Sequence, residues 1–158
     1  MIDGVDKPAL AGIWPNFKDF SIVLDLGANI ECNENNLVEF SILGSELYKT
    51  ILNKSEVVAG LLNIGSEEIK GNDTIKNAHL KLQESKNLNF NYKGYVEGNE
   101  IKNGDVQVIV TDGFTGNVAL KTAEGTANFI TTEIKKSFSS SFLSKIGYLF
   151  SYFAFKEI

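Results

Sequence analysis

The sequence predicts an α/β protein whose open, mostly parallel sheet carries helices on both faces. Short apolar runs alternate along the chain with longer segments that have apolar residues at helical spacing. The short runs are continuously apolar rather than alternating with polar residues, which is typical of strands buried on both faces of a parallel sheet. With 158 residues, of which 43% are hydrophobic and 22% charged, the chain can form one domain with a buried core.

Four apolar runs predict the strands. They lie at 21–26, 57–62, 90–96 and 106–110. Glycine or Asp-Gly follows the first and last of these runs, and such residues commonly end a strand in a turn. Residues 1–20 contain both prolines, so we expect an irregular lead-in there.

Three segments between and after the strands predict helices. They lie at 37–52, 73–86 and 117–137. Asparagine at 35 or 36 can cap the first helix, and residues 72–74 offer caps for the second. The order of strands and helices therefore predicts crossover connections of the kind found in parallel sheets.

The end of the chain differs in composition from the rest. Seven of the 17 aromatic residues lie between 138 and 155, and residues 131–158 carry 4 Lys against 2 Glu. We predict an α/β core over 1–137 and an amphipathic, aromatic-rich helical tail over 138–158. This composition is compatible with packing in a core, with pairing to a second chain, or with binding to a membrane surface.

Composition excludes several classes of function. The net charge of −5 argues against a nucleic-acid binder. With a single cysteine, Cys32, and a single histidine, His79, the chain has no residues for a CxxC zinc site or a His-rich metal centre. No G-x-G occurs, and residues 65–71 lack the order of a P-loop, so we expect neither a metal nor a nucleotide cofactor. Without a secretory signal or a long apolar run, a cytoplasmic location is expected.

Three loops that follow predicted strands share glycine and asparagine. They are 26–29, then 63–65 with 70–72, and 112–117. Ligands of parallel sheets bind at the carboxyl ends of strands, and helix N-termini there offer free N–H groups to anions. Because the chain has no arginine, an anion site must use such N–H groups, amides, hydroxyls and lysine, with Lys70 as the cationic candidate. The alternative is that these are ordinary turn and cap residues.

Four other residues are weighed separately. Asp25 and Asp112 follow strands, where a carboxylate either takes part in catalysis or holds its loop through backbone N–H groups. We expect His79, inside a predicted helix, to pack rather than act as a base. Cys32 has no basic neighbour in sequence that would lower its pKa, so we do not expect a nucleophile.

Six short motifs occur in order: GVDKPAL at 4–10, LDLGAN at 24–29, LNIG at 62–65, KGN at 70–72, VEG at 96–98 and DGFTGN at 112–117. Together they closely resemble the bacterial phosphate acyltransferase family of phospholipid synthesis. Proteins of that family are considerably longer and carry an amino-terminal Gly-Gly-Asp motif that this sequence lacks, so the chain resembles a fragment.

The resemblance implies an enzyme that moves a long-chain fatty acyl group from acyl carrier protein to inorganic phosphate. The acyl phosphate product would pass to a membrane glycerol-3-phosphate acyltransferase. The resemblance also implies a fold similar to the phosphotransacetylase and isocitrate/isopropylmalate dehydrogenase group, a homodimer, and peripheral membrane contact through residues 138–158. The alternatives are a catalytically incomplete fragment that only dimerises or binds membranes, and a short-chain enzyme that uses acyl-CoA.

From the loops we assign candidate site residues. The catalytic candidates are Lys70, Asp112 and Asn117. The substrate-binding candidates are Asn29, Asn63, Gly71, Asn72, Thr115 and Gly116. Asp112 is expected to orient a donor, and the others to contact phosphate.

Overall fold

The computed structural model describes the backbone of residues 5–155, and the side chains of residues 5–151 except that of Lys145. The chain divides into two compact units, Met1–Ala119 and Leu120–Ile158. The predicted strands and the candidate site residues all lie in the first unit.

The first unit contains a five-stranded sheet in its described part. The strands are β1 (Gly12–Pro15), β2 (Phe20–Leu24), β3 (Val58–Asn63), β4 (Asn91–Glu97) and β5 (Val108–Val110). Their order is β1-β2-β5-β3-β4, and all neighbours are parallel except β1 with β2. The prediction of an irregular segment over 1–20 is wrong at 12–15, because β1 pairs antiparallel to β2 at the sheet edge, where a terminal proline is tolerated.

Five helices accompany the strands in the described residues. They are α1 (Glu34–Leu52), α2 (Asp73–Glu84), a 3₁₀ helix (Gly98–Asn103), α3 (Gly113–Ser139) and α4 (Phe142–Phe155). Helix α1 begins earlier than predicted because Asn33, rather than Asn35 or Asn36, caps it. Helix α3 also begins earlier, at Gly113.

The helices lie on the sheet as right-handed connections require. Both α1 and α2 contact the sheet and each other, so they share one face. The chain moves in one direction along the sheet from β2 to β3 to β4 and then returns to β5. The 3₁₀ helix of that return contacts β4, and by the right-handed crossover rule it is expected on the opposite face. The predicted α/β class, with a mostly parallel sheet flanked by helices, is confirmed.

The core of the first unit lies between the sheet and helices α1 and α2. It contains apolar side chains from the sheet and from both helices, which include Ile22, Phe40, Leu61, Leu82 and Val108. Burial of one such side chain stabilises the fold by about 1.5–3 kcal/mol. This packing fixes the carboxyl ends of the strands, from which the candidate loops emerge.

The second unit consists of the remainder of α3 and of α4. Several large apolar side chains of α4 are exposed, among them Phe142, Leu143, Leu149 and Phe150. No described helix is both long and apolar enough to cross a membrane. The predicted tail is helical from Phe142 to Phe155, its last residues 156–158 lie outside the described residues, and its role stays a prediction.

Candidate functional site

The loops that follow β2, β3 and β5 meet at one edge of the sheet. The Gly113 N–H donates to the carbonyl of Asn29 at 2.8 Å, which joins the first loop to the third. A Cβ on Gly27 would lie 3.6 Å from the Asn117 side chain. The geometry thus brings together loops that the sequence placed at a common edge.

Two adjoining cavities open between these loops. The first, which we call the Asp112 cavity, has a volume of about 490 Å³ and is lined by Ile30, Glu31, Cys32, Leu37, Asn72, Thr74, Ile75, Asp112, Phe114 and Thr115. The second, the Ile64 cavity, has a volume of about 440 Å³ and is lined by Leu62, Asn63, Ile64, Gly71, Asn72, Ile75, Gly98 and Thr115. Asn72, Ile75 and Thr115 line both cavities, so a ligand could extend from one into the other.

The loop after β2 closes on a buried carboxylate. Asp25 is fully buried and accepts hydrogen bonds from the backbone N–H groups of Leu10, Gly27, Ala28 and Asn29 at 2.8–3.1 Å. Burial by itself would raise the pKa of Asp25, but the hydrogen bonds outweigh it and hold the pKa below its ordinary value of 3.8. Asp25 therefore holds its loop as a permanent anion at neutral pH.

The donors of Asn29 are engaged within this loop. Its backbone N–H donates to Asp25 at 2.8 Å, and its amide nitrogen donates to Asp25 and to the Pro8 carbonyl, each at 2.7 Å. Its carbonyl accepts from Gly113. Asn29 thus joins the lead-in, its own loop and the start of α3.

In the loop after β3 the direction of the hydrogen bonds is reversed, because a side chain donates to backbone carbonyls. The Asn63 amide donates to the carbonyls of Gly65 and Lys70, at 3.1 and 3.2 Å. Gly71, at a φ of +90°, packs against the Asn63 amide where a Cβ would be both strained and obstructed. Asn72 then caps α2 by accepting from the N–H of Ile75 at 2.9 Å.

Lys70 lies in this loop with its side chain exposed. Among the described residues, no hydrogen bond or ion pair involves its ammonium group, and it does not line either cavity. Its carbonyl is fixed by Asn63 and its N–H donates to the Glu67 carbonyl at 3.0 Å. The backbone of Lys70 is therefore fixed, while its exposed ammonium has no partner among the described residues.

The loop after β5 is closed by Asp112. Its carboxylate accepts from the backbone N–H and the hydroxyl of Thr115, both at 2.8 Å, and so caps α3. The next turn approaches the first loop closely, because a Cβ on Gly116 would overlap the carbonyl oxygen of Asp25. Asn117 follows on the exposed side of α3, next to Gly27, and does not line either cavity.

The two cavities differ in charge. The Asp112 cavity has two carboxylates, Glu31 and Asp112, and no lysine in its lining. Among the residues whose side chains are described, no charged one lines the Ile64 cavity. Of the first N–H groups of α2, those of Ile75 and Lys76 are bonded to Asn72, which leaves those of Asp73 and Thr74 to favour an anion at the boundary between the cavities.

The chain matches, over residues 1–158, the family model described as fatty acid synthesis protein. The chain belongs to this family. It is 58% identical over 149 residues to the phosphate acyltransferase of Pelagibacter ubique, which covers 94% of this chain and 45% of that protein. Identity to the phosphate acyltransferase of Paramagnetospirillum magneticum is 49% over 158 residues, covering 100% of this chain and 45% of that protein. The chain thus spans under half the length of these relatives, and the resemblance found in its motifs is confirmed.

Among solved structures, the EutD phosphotransacetylase from Staphylococcus aureus superposes with a TM-score of 0.59. The alignment covers 80% of this chain and 44% of that chain at 18% sequence identity. This likeness confirms the expected similarity of fold to phosphotransacetylases. The expected similarity to the dehydrogenase group stays a prediction.

Several residues that line the two cavities were not among the site residues predicted from the sequence. Ile75 lines both cavities, and in the sequence it is only one apolar position of an amphipathic helix. Ile30, Ile64 and Phe114 are exposed at the cavities, at 73%, 81% and 63%. A large apolar residue at an exposed position of each glycine-containing loop was the signal that could have identified them.

Cys32 and His79 occupy the places expected of structural residues. Burial raises the pKa of the Cys32 thiol, which disfavours the thiolate needed for nucleophilic attack. His79 is buried, stacks on Tyr95 at 4.4 Å between ring centroids and shares a 2.8 Å hydrogen bond with the Tyr92 hydroxyl. Burial lowers the pKa of His79, so packing as a neutral ring accounts for it.

Proposed function

We propose that this chain forms the phosphate-handling part of an acyltransferase. The reaction transfers a long-chain fatty acyl group from acyl carrier protein to inorganic phosphate and gives an acyl phosphate. The observation that carries the proposal is the pair of adjoining cavities at the carboxyl edge of the sheet, one polar and one uncharged, with Lys70 in the loop whose next residues, Gly71 and Asn72, line the Ile64 cavity. The name of the relatives, phosphate acyltransferase, supports the same reaction class.

The reaction needs positioning more than it needs a nucleophilic side chain. A phosphate oxygen attacks the thioester carbonyl carbon, the C–O bond forms, the C–S bond breaks, and the carrier thiolate leaves and takes up a proton. Holding the two reactants in line can lower the barrier by about 7–11 kcal/mol. One fixed donor to the developing oxyanion adds about 3–4 kcal/mol.

The candidate residues divide between direct contact and support. Lys70 supplies the positive charge for phosphate, and the amides of Asn72 and Asn117 supply neutral donors. Asp112 orients Thr115, whose N–H and hydroxyl it holds.

The remaining candidates shape the backbone around the phosphate. Asn63 and Gly71 hold the loop that carries Lys70. Asn29 and Gly116 hold the start of α3 against the first loop.

The test is acyl phosphate formation by the 158-residue chain from palmitoyl acyl carrier protein and phosphate. Hydroxylamine traps the product as a hydroxamate, and the released carrier thiol is counted with and without phosphate. We expect Lys70→Ala and Asn117→Ala to lower the rate by about tenfold or more each, because each removes a donor to a charged group. Lys54→Ala is the control, since Lys54 precedes β3 at the opposite end of the sheet. Thiol release that does not depend on phosphate would contradict the proposal.

The same assay separates the alternatives. A short-chain enzyme would prefer acetyl-CoA to palmitoyl acyl carrier protein. A catalytically incomplete fragment that only dimerises or binds membranes would turn over neither donor.

We also propose that residues 138–158 place the protein on the cytoplasmic membrane surface as a homodimer. The exposed fractions of Phe142, Leu143, Leu149 and Phe150, 71–83%, support an interfacial helix. The test is cosedimentation with anionic lipid vesicles and sedimentation velocity, comparing Leu149→Ser with Leu80→Ser on α2. Membrane binding or dimerisation that survives Leu149→Ser and Phe150→Ser together would contradict this role.

A further inference from the structure

The Ile64 cavity has the chemistry of an apolar binding site. Leu62, Ile64 and Ile75 contribute its apolar walls, and within the described part of the chain no charged side chain lines it. Its volume, about 440 Å³, lies in the range of small-molecule sites. The cavity is therefore suited to a ligand without charge.

The side-chain donors of Asn63 and Thr115 at this cavity are already engaged, and the buried Asn63 Oδ1, which has no hydrogen-bond partner among the described residues, can only accept. The Asn63 amide hydrogens are donated to the carbonyls of Gly65 and Lys70, and the Thr115 hydroxyl is donated to Asp112. A phosphate dianion placed deep in the cavity would lose water without gaining these donors, which is costly. Phosphate therefore belongs at the boundary near Asn72 and Lys70, and not inside the Ile64 cavity.

We propose that the Ile64 cavity is the subsite for the fatty acyl chain, and that Ile64 determines how strongly chain length is sensed. This rests on the proposed acyl transfer. An acyl thioester is apolar beyond its reacting carbonyl. From the boundary at Asn72 and Thr115 its tail can enter either cavity, and the Asp112 cavity would force it against the carboxylates of Glu31 and Asp112. The uncharged cavity is thus the favourable course for the tail.

Ile64 and Ile69 form a matched pair for a test. Both are isoleucines of the β3–α2 loop, and each is 81% exposed. Only Ile64 lines the cavity. Because surface substitutions of this kind change stability little, Ile64→Ser and Ile69→Ser should both fold.

Gly98 offers a second variant that acts by filling rather than by removing a wall. It lines the Ile64 cavity, and a Cβ built on it meets no atom within 4 Å. A leucine at this position has room for its side chain at the cavity. We expect Gly98→Leu to weaken binding of long tails while short tails bind as before.

The experiment measures calorimetric affinities of S-alkyl pantetheine thioethers with tails of increasing length for the 158-residue chain. These probes cannot transfer their tail, so binding is read without turnover. Each methylene that becomes buried should tighten binding by up to about fourfold. We expect Ile64→Ser to flatten this dependence on length and Ile69→Ser to retain it.

Several outcomes would overturn the subsite. They are an unchanged length dependence in both Ile64→Ser and Gly98→Leu, an equal flattening in Ile69→Ser, and a change of oligomeric state in Ile64→Ser with the length dependence intact. The last would identify the cavity as a contact between copies of the chain. Failure of the proposed function is seen separately, because the hydroxamate assay would give no phosphate-dependent product even where the length dependence is present.

Discussion

The loops after β2 and β3 have similar compositions but opposite internal bonding. In residues 25–29, backbone N–H groups turn inward to the carboxylate of Asp25. In residues 63–72, carbonyl groups turn inward to the amide of Asn63. Each strand thus ends in one buried polar side chain that organises the loop, an acceptor in the first case and a donor in the second.

This difference decides which loop can receive an external anion. The first loop holds an internal anion, so its N–H groups have no capacity for phosphate. The second loop leaves the Lys70 ammonium and the N–H groups of Asp73 and Thr74 for a ligand, because Asn63 satisfies carbonyls instead and Asn72 accepts from Ile75 and Lys76. Glycine and asparagine at a strand end therefore do not by themselves make an anion site; the side chain at the last strand position decides.

Among substitutions that test the difference between the two loops, Asp25→Asn should have the largest effect on stability. In Asp25→Asn the amide NH₂ would face the donors of Asn29, or leave the N–H groups of Gly27 and Ala28 without an acceptor. We expect the free energy of unfolding to fall by about 3 kcal/mol or more, as measured by urea unfolding followed by circular dichroism. Asp105→Asn is the control, since Asp105 is an exposed carboxylate paired with Lys18 and its loss should leave the urea midpoint unchanged. Equal effects of the two substitutions would show that Asp25 is not an internal anion.

The contact between the first and third loops predicts the next largest effect. In Gly116→Ala the new Cβ overlaps the Asp25 carbonyl oxygen and lies 3.0 Å from Thr111 Cγ2, so α3 must shift. We expect a loss of about 1–3 kcal/mol in the free energy of unfolding. Gly125→Ala is the control in the same helix, because its Cβ meets no atom within 4 Å. There alanine should stabilise by about 0.5–1 kcal/mol, and destabilisation by both substitutions would point to the helix and not to the loop contact.

The lowered pKa of Asp25 predicts a pH dependence. The folded state holds the ionised form, so Asp25 contributes its full stabilisation above the ordinary pKa of 3.8 and loses it as pH falls through the lower folded value. The stability difference between wild type and Asp25→Asn should therefore be constant near pH 6 and shrink below pH 4. Urea midpoints of both proteins from pH 3 to pH 7 measure it. A difference that grows on acidification would contradict the sign.

Much of this architecture could be predicted from the sequence, because apolar runs and helical spacing depend on residues that are close together in the chain. The edge strand β1 could not, since it is only four residues long, has no continuous apolar run and ends in proline, although it pairs with β2 across the short loop 16–19. The starts of α1 and α3 were placed late for a related reason: several asparagines compete as caps, and the bonding of Asp112 to Thr115 is seen only in three dimensions.

The location of the candidate site could be predicted from the sequence, but the hydrogen bonds that its residues make could not. The common edge follows from parallel strands, whereas the direction of each hydrogen bond depends on loop conformation. The hydrogen-bond partners of the asparagines could not be predicted from the sequence. The Asn29 amide donates to Asp25, whereas the Asn72 side chain accepts from the N–H of Ile75 and caps α2 at the cavities. The sequence left two roles open for Asp25, in catalysis or in holding its loop. Its burial and its backbone N–H partners favour the second role.

The smallest expected effect is that of Asn72→Asp, which distinguishes helix capping from ligand binding at the second loop. Asn72→Asp preserves the cap, since aspartate and asparagine are similar at this position, so the urea midpoint should not fall. A carboxylate beside the proposed phosphate should nevertheless weaken phosphate binding by about fivefold, from Coulomb repulsion of about 1 kcal/mol at close range in water, as measured by calorimetric titration. Asn33→Asp makes the same change at the cap of α1, at a residue that lines neither cavity, and should leave the phosphate affinity unchanged. If both variants bind phosphate as the wild type does, the second loop does not face an anion, and the contrast with the loop of Asp25 is one of folding alone.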